Sequence, residues 1–331
     1  MIMDAGMNWN ELSARVLCGT PLSRDEGISI LRSTDDELLA VLQAAFDVRR
    51  RFFGRRVNLH VIQNAKSGLC SEDCAFCSQS AVSSSPISRY AMQTPHDMVN
   101  GAKRADELGA VKYCIVASSR GPSAEELSAI CEALRQIKSR SKIHLCVSLG
   151  LLTEEESRQL KAAGADRINH NLETSRRYFP RICQAHRYDD RITTIRNAKA
   201  AGLEICCGGL MGMGESVEDR VDLALELREL KVNSIPVNFF NPRAGTPLEK
   251  VQKMKPGECL RALAMFRMVN PACDIRAAGG REACIGRLQP LVLYAANSIF
   301  TEGYLTTPGQ GYSADRVMIE EAGFEVAAIE A

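Results

Sequence analysis

Val111-Lys-Tyr-Cys-Ile-Val-Ala117, Ser123-Ala-Glu-Glu126, Ile143-His-Leu-Cys-Val-Ser-Leu149 and Thr153-Glu-Glu-Glu156 follow one another along the chain, and their reading decides the fold. Two apolar runs, each too short for a helix, lead into a hydroxyl residue followed by acids. That is the pattern of a strand and then a helix start, where the hydroxyl caps the first free N–H groups and the acids face the positive helix end. Working outward, further apolar or β-branched runs stand at 57–63, 167–171, 203–207, 234–239, 274–277 and 296–300. Thr94-Pro-His-Asp97 opens a helix that closes at Leu108-Gly109, and Ser216-Val-Glu-Asp219 opens another. Eight strand-helix units over ~250 residues predict a (β/α)8 TIM-type barrel, an α/β fold with a closed parallel sheet. Residues 1–56, including the 35–50 stretch, read as an N-terminal helical extension; 57–331 read as the barrel with a C-terminal tail. The serine-rich stretch 78–89 reads as the most mobile loop.

Composition narrows the function. Lysine plus arginine is 41 against 40 acids, so no net field draws the chain to nucleic acid or anionic lipid, and a small-molecule substrate is expected. The opening Met1-Ile-Met-Asp-Ala-Gly6 lacks a secretory pattern. The longest apolar run, 291–300, contains Asn297 and Ser298 and is far short of the ~20 residues of a membrane span. A cytoplasmic protein is expected. Thirteen cysteines in a reducing compartment point to metal or redox chemistry rather than disulfides. Cys18, Cys131, Cys259, Cys273 and Cys284 read as small buried hydrophobes.

Cys70-Ser-Glu-Asp-Cys74-Ala-Phe-Cys77 places three thiols in the loop after the first strand. Three thiolates can hold three irons of a 4Fe-4S cube and leave the fourth iron open, whereas structural zinc normally takes four protein ligands. The spacing resembles the signature of the radical S-adenosylmethionine (SAM) superfamily. Cys114, Cys146 and Cys206 lie one each on separate strands, with Arg276 on another, so they can converge inside a barrel on a second, anionic cluster that would partner the arginine. Cys207 follows Cys206, and strand alternation lets only one of them face inward; Cys206 is the choice. In Asn169-His-Asn171-Leu-Glu173, alternation puts 169, 171 and 173 on one face, as would suit a ureido ring or ribose hydroxyls, and turns His170 away as a structural histidine. Asn238 adds an amide on the sixth strand. Gly208-Gly-Leu-Met-Gly212-Met-Gly214 would let backbone approach a nucleotide, and it is not a Walker loop.

Taken together, these stretches resemble the biotin synthase family from Val57 to about Glu325. Besides the cysteine loop, the resemblance rests on Tyr113-Cys-Ile-Val-Ala-Ser118, Asn169-His-Asn-Leu-Glu-Thr-Ser175, Ser234-Ile-Pro-Val-Asn-Phe239, Gly245-Thr-Pro-Leu248, Gly279-Gly-Arg-Glu282 and Ala295-Ala-Asn-Ser-Ile-Phe300. It implies that Cys70, Cys74 and Cys77 hold the 4Fe-4S cluster, and that Cys114, Cys146, Cys206 and Arg276 hold an auxiliary 2Fe-2S cluster that donates sulfur. It also implies that Phe76, Ala117, Asn171, Glu173, Arg191 and Leu210 bind SAM, and that Asn171 and Asn238 bind the ureido ring of dethiobiotin. The implied reaction is radical insertion of sulfur into dethiobiotin to give biotin. A flavodoxin or ferredoxin reductant, iron-sulfur assembly machinery and a homodimer are implied with it. Cys207, and Cys183 in Ile182-Cys-Gln-Ala-His186, leave a larger auxiliary cluster open. Two other readings share the loop motif: a methylornithine synthase-like or hydrogenase-maturation-like radical enzyme, and a non-catalytic iron-sulfur carrier. The first does not require the Cys114, Cys146, Cys206 and Arg276 set, and a carrier has no need of Asn171, Asn238 and Arg191 inside a barrel.

Overall fold

The computed structural model describes residues 7–328; the Met1 to Gly6 segment read for a secretory signal and the last three residues of the tail lie outside them. Ten strands form: β1 Arg56–Lys66, β2 Lys112–Ala117, β3 His144–Ser148, β4 Arg167–Asn169, β5 Glu204–Cys206, β6 Gly209–Met211, β7 Ser234–Phe239, β8 Asp274–Ala277, β9 Ser298–Phe300 and β10 Glu325–Val326. All their pairings are parallel, and β1 pairs with both β2 and β9, which closes the sheet into a barrel. β5 and β6 both pair with β7 in one unbroken register, so they are two halves of a single stave and the barrel has the eight staves read from the sequence. Pro236 stands opposite Gly208 in that register and has no N–H to give the ladder, which is why the stave is interrupted there. β10 adds two residues beside the start of β1.

The helices that follow the strands are α4 Pro95–Glu107, α5 Ala124–Lys138, α6 Glu154–Ala162, α7 Tyr188–Ala200, α8 Val217–Glu229, α9 Pro256–Val269, α10 Arg281–Ile285 and α11 Tyr312–Glu321; α1 Trp9–Leu17, α2 Arg24–Arg32 and α3 Leu38–Phe53 precede the barrel. Thr94, Ser123, Thr153 and Ser216 each cap a helix as read, with the third helical residue's acid bonding back to the cap. Each such box is worth about 1 kcal/mol. The leading helices pack on the barrel's outer ring, α3 against α9 and α2 against α8 and α9. Arg49 of α3 is buried and donates to the carbonyl oxygens of Ala296 (3.1 Å), Arg56 (2.7 Å) and Gly54, which locks that helix to the amino-terminal end of the barrel.

Alternation along the strands divides two interiors. Tyr113, Ile115, Leu145 and Val147 join the large core between sheet and helices, while Cys114, Val116 and Cys146 form a separate cluster inside the barrel with Ile62 and Leu305. Cys131, Cys259 and Cys284 are buried as expected, and Cys273 is half-buried. Cys18 is exposed instead: it follows α1 as its C-cap, past the helix face that packs inward.

Candidate active site

Two adjoining cavities of about 420 and 170 Å³ open at the carboxyl ends of the strands, where a barrel of this kind gathers its loops. They share Cys77, Asn169, Asn171 and Glu173. The larger is also lined by Phe76, Cys114, Leu210 and Asn238; the smaller also by Cys70, Cys74, Ala117, His170 and Arg191. Cys146, Cys206 and Arg276 lie buried within the barrel, under the cavities.

The 70–77 loop has no regular structure and is held by its neighbours. Ala75 N–H donates to Ile182 O (2.8 Å), and the Asp73 carboxylate accepts from the N–H groups of Gln184 (3.1 Å) and Ala185 (3.0 Å) and from the Cys183 thiol (3.1 Å). Three thiols face one cavity from this loop. Cys183 lies 4.0 Å from Cys74, sulfur to sulfur, yet does not line either cavity; it sits behind Cys74. Glu72, Cys183 and His186 bring three ligand-type atoms within 4.8 Å of one another. They do not make a cation site, because Arg191 Nε donates to His186 Nε2 (2.9 Å) and Arg120 Nη1 to Glu72 Oε1 (2.7 Å), so two guanidinium groups already flank it.

The barrel interior is more highly charged than the apolar layers usual in this fold. Cys114 and Cys146 are register partners on β2 and β3, and Arg276 Nη1 lies 3.7 Å from Cys206 Sγ. Beneath the thiols, Asp274 Oδ2 is approached by Lys112 (3.6 Å), Arg276 (3.6 Å), Arg167 (3.7 Å) and His60 (3.9 Å). Burial alone would raise this carboxyl, but the charges of Lys112, Arg276 and Arg167 hold it well below the usual carboxylate range. Burial first, and then Arg276, push His60 well below its ordinary value, so it stays neutral. A hydrogen bond with Cys114, then the Arg167 and Arg276 guanidinium groups, lower the Cys146 thiol against the burial that raises it. Arg276 Nε and Arg167 Nη1 are buried with no hydrogen-bond partner among the described residues. Unpartnered guanidinium N–H groups beside three inward thiols fit an anionic group carried by sulfur ligands. Cys207 points the other way, into the outer core, in line with the choice of Cys206.

β4 ends at Asn169; beyond it the N–H groups of His170 and Leu172 still donate to Cys206 O (2.9 Å) and Gly208 O (3.0 Å), and the chain then turns at Glu173, whose φ of +69° is left-handed. Residues 169, 171 and 173 nevertheless share the cavity wall, as alternation led one to expect. His170 departs from the reading: it too lines the smaller cavity, and its buried Nε2 has no partner among the described residues. Asn169 has a buried, unpartnered Oδ1 at the junction of the cavities, a feature sequence alone could not separate from its neighbours. Asn238 donates to Gly209 O (3.1 Å) and accepts from Gly279 N–H (2.9 Å); these bonds fix which end of its amide is oxygen and leave one N–H and one lone pair unused. Asn171 Oδ1 likewise accepts from Gly208 N–H (3.1 Å). The Gly208-Gly209 pair does allow close approach, but of backbone to backbone: an added Cβ would meet Pro236 O at 2.0 Å and Glu173 O at 2.5 Å. Tyr304, Leu305 and Thr306 close one side of the larger cavity; nothing in their sequence marks them for it. No helix among the described residues is long and apolar enough to cross a membrane.

Comparison with known proteins bears on the family and the fold. The radical SAM superfamily profile matches residues 66–227, and that of the biotin and thiamin synthesis associated domain matches 236–325. Biotin synthase of Salinibacter ruber is 55% identical over 97% of this chain and 90% of its own length. That of Halalkalibacterium halodurans is 48% identical over 98% and 97%. The crystal structure of a methylornithine synthase superimposes with a TM-score of 0.84 at 21% identity, covering 96% of this chain and 98% of the other, a likeness of fold.

Proposed function

This chain belongs to the biotin synthase family, and from that premise we propose that it inserts sulfur into dethiobiotin to form biotin by radical SAM chemistry. The observation that carries the reading is the placing of two thiol sets about adjoining cavities: Cys70, Cys74 and Cys77 line the smaller, while Cys114 lines the larger, with Cys146 and Cys206 buried in the barrel beside an Arg276 N–H that has no hydrogen-bond partner among the described residues. Cys70, Cys74 and Cys77 would hold a 4Fe-4S cluster, and Cys114, Cys146, Cys206 and Arg276 an auxiliary 2Fe-2S cluster. With SAM bound, the first supplies a carbon-centred radical able to take hydrogen from an unactivated carbon, and the second supplies sulfur.

The chain's own residues bind, orient and exclude water. Phe76, Ala117 and Leu210 give apolar walls to the SAM site; Asn171, Glu173 and Arg191 give its polar contacts. Burial raises the Glu173 carboxyl above its ordinary value, and Arg191, 3.8 Å away, and the Asn171 amide oppose this only in part; the carboxyl stands where ribose hydroxyls would be bound. Asn238 offers its remaining N–H and lone pair, already aimed by backbone, to a ureido ring that has both an acceptor and donors; Asn171 adds a second amide. Lys112, Arg167 and Arg276 provide the positive field in which an anionic auxiliary cluster is stable. On this reading the helices α1 to α3 are an extension and the catalytic barrel follows them. The enzyme works in the cytoplasm as a homodimer, with a flavodoxin or ferredoxin as reductant and iron-sulfur machinery to rebuild the auxiliary cluster.

Anaerobic reconstitution, iron and sulfide counting, Mössbauer spectroscopy and assay with dethiobiotin, SAM and dithionite test this. Biotin formed at the expense of auxiliary-cluster sulfide is the expected result. 5'-Deoxyadenosine without biotin would move the chain to another radical SAM reaction.

A further inference from the structure

We propose that Glu72 and His186 are positioning residues that tie the 70–77 loop to Arg191 and so couple the loop's order to SAM binding. The inference rests on the reading of Arg191 as a SAM contact. An arginine N–H only donates, so His186 Nε2, 2.9 Å from Arg191 Nε, must accept. The ring proton then lies on Nδ1, which faces Glu72 Oε2 at hydrogen-bond distance. Glu72 is one residue of the loop itself, between Cys70 and Cys74, and its other oxygen accepts from Arg120. At the far end Arg191 Nη1 donates to Asn171 O (2.7 Å), beside the amide that lines both cavities.

Glu72, His186 and Arg191 are all buried. The geometry leaves the guanidinium little choice of orientation: Nε is held by His186, Nη1 by Asn171, and its face lies over the Phe179 ring at 5.4 Å. Without His186 the Nε–H loses its acceptor, and the guanidinium is free to rotate toward Glu173 or out of the smaller cavity. With it, the edge presented to the cavity is set before any ligand arrives.

The test is the SAM dissociation constant of anaerobically reconstituted enzyme, read from the change SAM causes in the EPR spectrum of the reduced loop cluster. Only cluster-bearing molecules contribute to that signal. His186→Leu is expected to raise Kd about tenfold or more, the effect of losing a charge-assisted hydrogen bond. KM for SAM rises in step and kcat stays within about twofold. His186→Gln keeps an acceptor for Arg191 and a donor for Glu72, and is expected to return Kd to within about threefold of the parent. Glu72→Gln, a neutral acceptor of the same shape, is expected to fall between. An unchanged Kd in His186→Leu overturns the proposal, as does a His186→Gln variant no better than His186→Leu. Arg191→Ala separates the two levels of inference. If it leaves Kd untouched, the Arg191 assignment falls and the coupling with it; if it weakens binding while His186→Leu does not, the assignment stands and the coupling falls.

Discussion

The two thiol sets are held in opposite ways. Cys70 and Cys77 are half-buried on an irregular loop whose shape depends on hydrogen bonds to the 182–186 segment, whereas Cys114, Cys146 and Cys206 are buried on three strands locked by sheet register. A loop can leave one side of a metal group open and adjust as a ligand docks there. Strands give fixed spacing and shut out water, at the cost of burying charge, which the Asp274 network offsets. The difference assigns distinct demands: an exchangeable coordination position at the rim, and a dry, rigid, positively charged chamber below.

Breaking the rim is expected to have the largest effect. Cys74→Ala should abolish the loop cluster and leave neither 5'-deoxyadenosine nor biotin, as read by iron counting and product chromatography. Breaking the chamber should be selective. Cys206→Ala is expected to lose the auxiliary-cluster absorbance and biotin formation while SAM cleavage persists; normal biotin turnover would refute the assignment of Cys206.

Arg276→Ala tests whether the chamber's charges act as a unit. It removes one of the cations around Asp274 and the donor to Ser234 Oγ, and should cost about 3 kcal/mol in anaerobic urea unfolding. Auxiliary-cluster bleaching on titration with reductant should be faster; identical spectra throughout would argue against contact between Arg276 and the cluster.

Asp219 belongs to the frame around the cavities rather than to either thiol set. It is buried at the start of α8 and accepts from Ser175 Oγ (2.6 Å), Ser216 N–H (2.9 Å) and Arg177 Nη2 (2.6 Å). Burial raises this carboxyl, but the bonds from Ser175 and Ser216 and then the Arg177 charge outweigh it and hold it below the usual range. A carboxyl lowered on folding adds stability above its unfolded pKa of about 3.9 and loses it as pH falls through the folded value. Asp219→Asn should therefore cost about 2 kcal/mol at pH 7, with the two stability curves converging below about pH 4. A constant gap down to pH 3 would contradict this. The smallest effect is expected from Cys207→Ala, about 1 kcal/mol of stability with both clusters intact. Loss of the auxiliary cluster there would overturn the inward choice of Cys206.

Eight staves, their order and the capped helix starts were legible because each rests on local chemistry: short apolar runs, and hydroxyl caps with an acid three residues on. The thiols of the loop and strands were legible as well, since cysteine is rare enough in a strand to stand out. His170 was misjudged because alternation describes a regular strand, and β4 stops one residue before it. The split of the fifth stave was missed because it depends on Pro236 of the next strand, a partner 28 positions from Gly208 in the register. The parts played by Glu72 and Asp73 could not be read from the cysteine spacing, because they depend on the 182–186 segment packed against them.

The sequence by itself determined the barrel, the faces of its strands and the residue types able to hold iron, because all of these follow from periodicity and side-chain chemistry. Only the tertiary structure decided which groups meet. It places Cys183 behind Cys74 rather than among the strand thiols, gathers Lys112, Arg167 and Arg276 around one aspartate, and turns His186 toward Glu72. Apart from Arg276, a neighbour of Asp274 on the same strand, these meetings join residues more than a hundred positions apart, and closure of the barrel, not any local preference, brings them within a few ångströms.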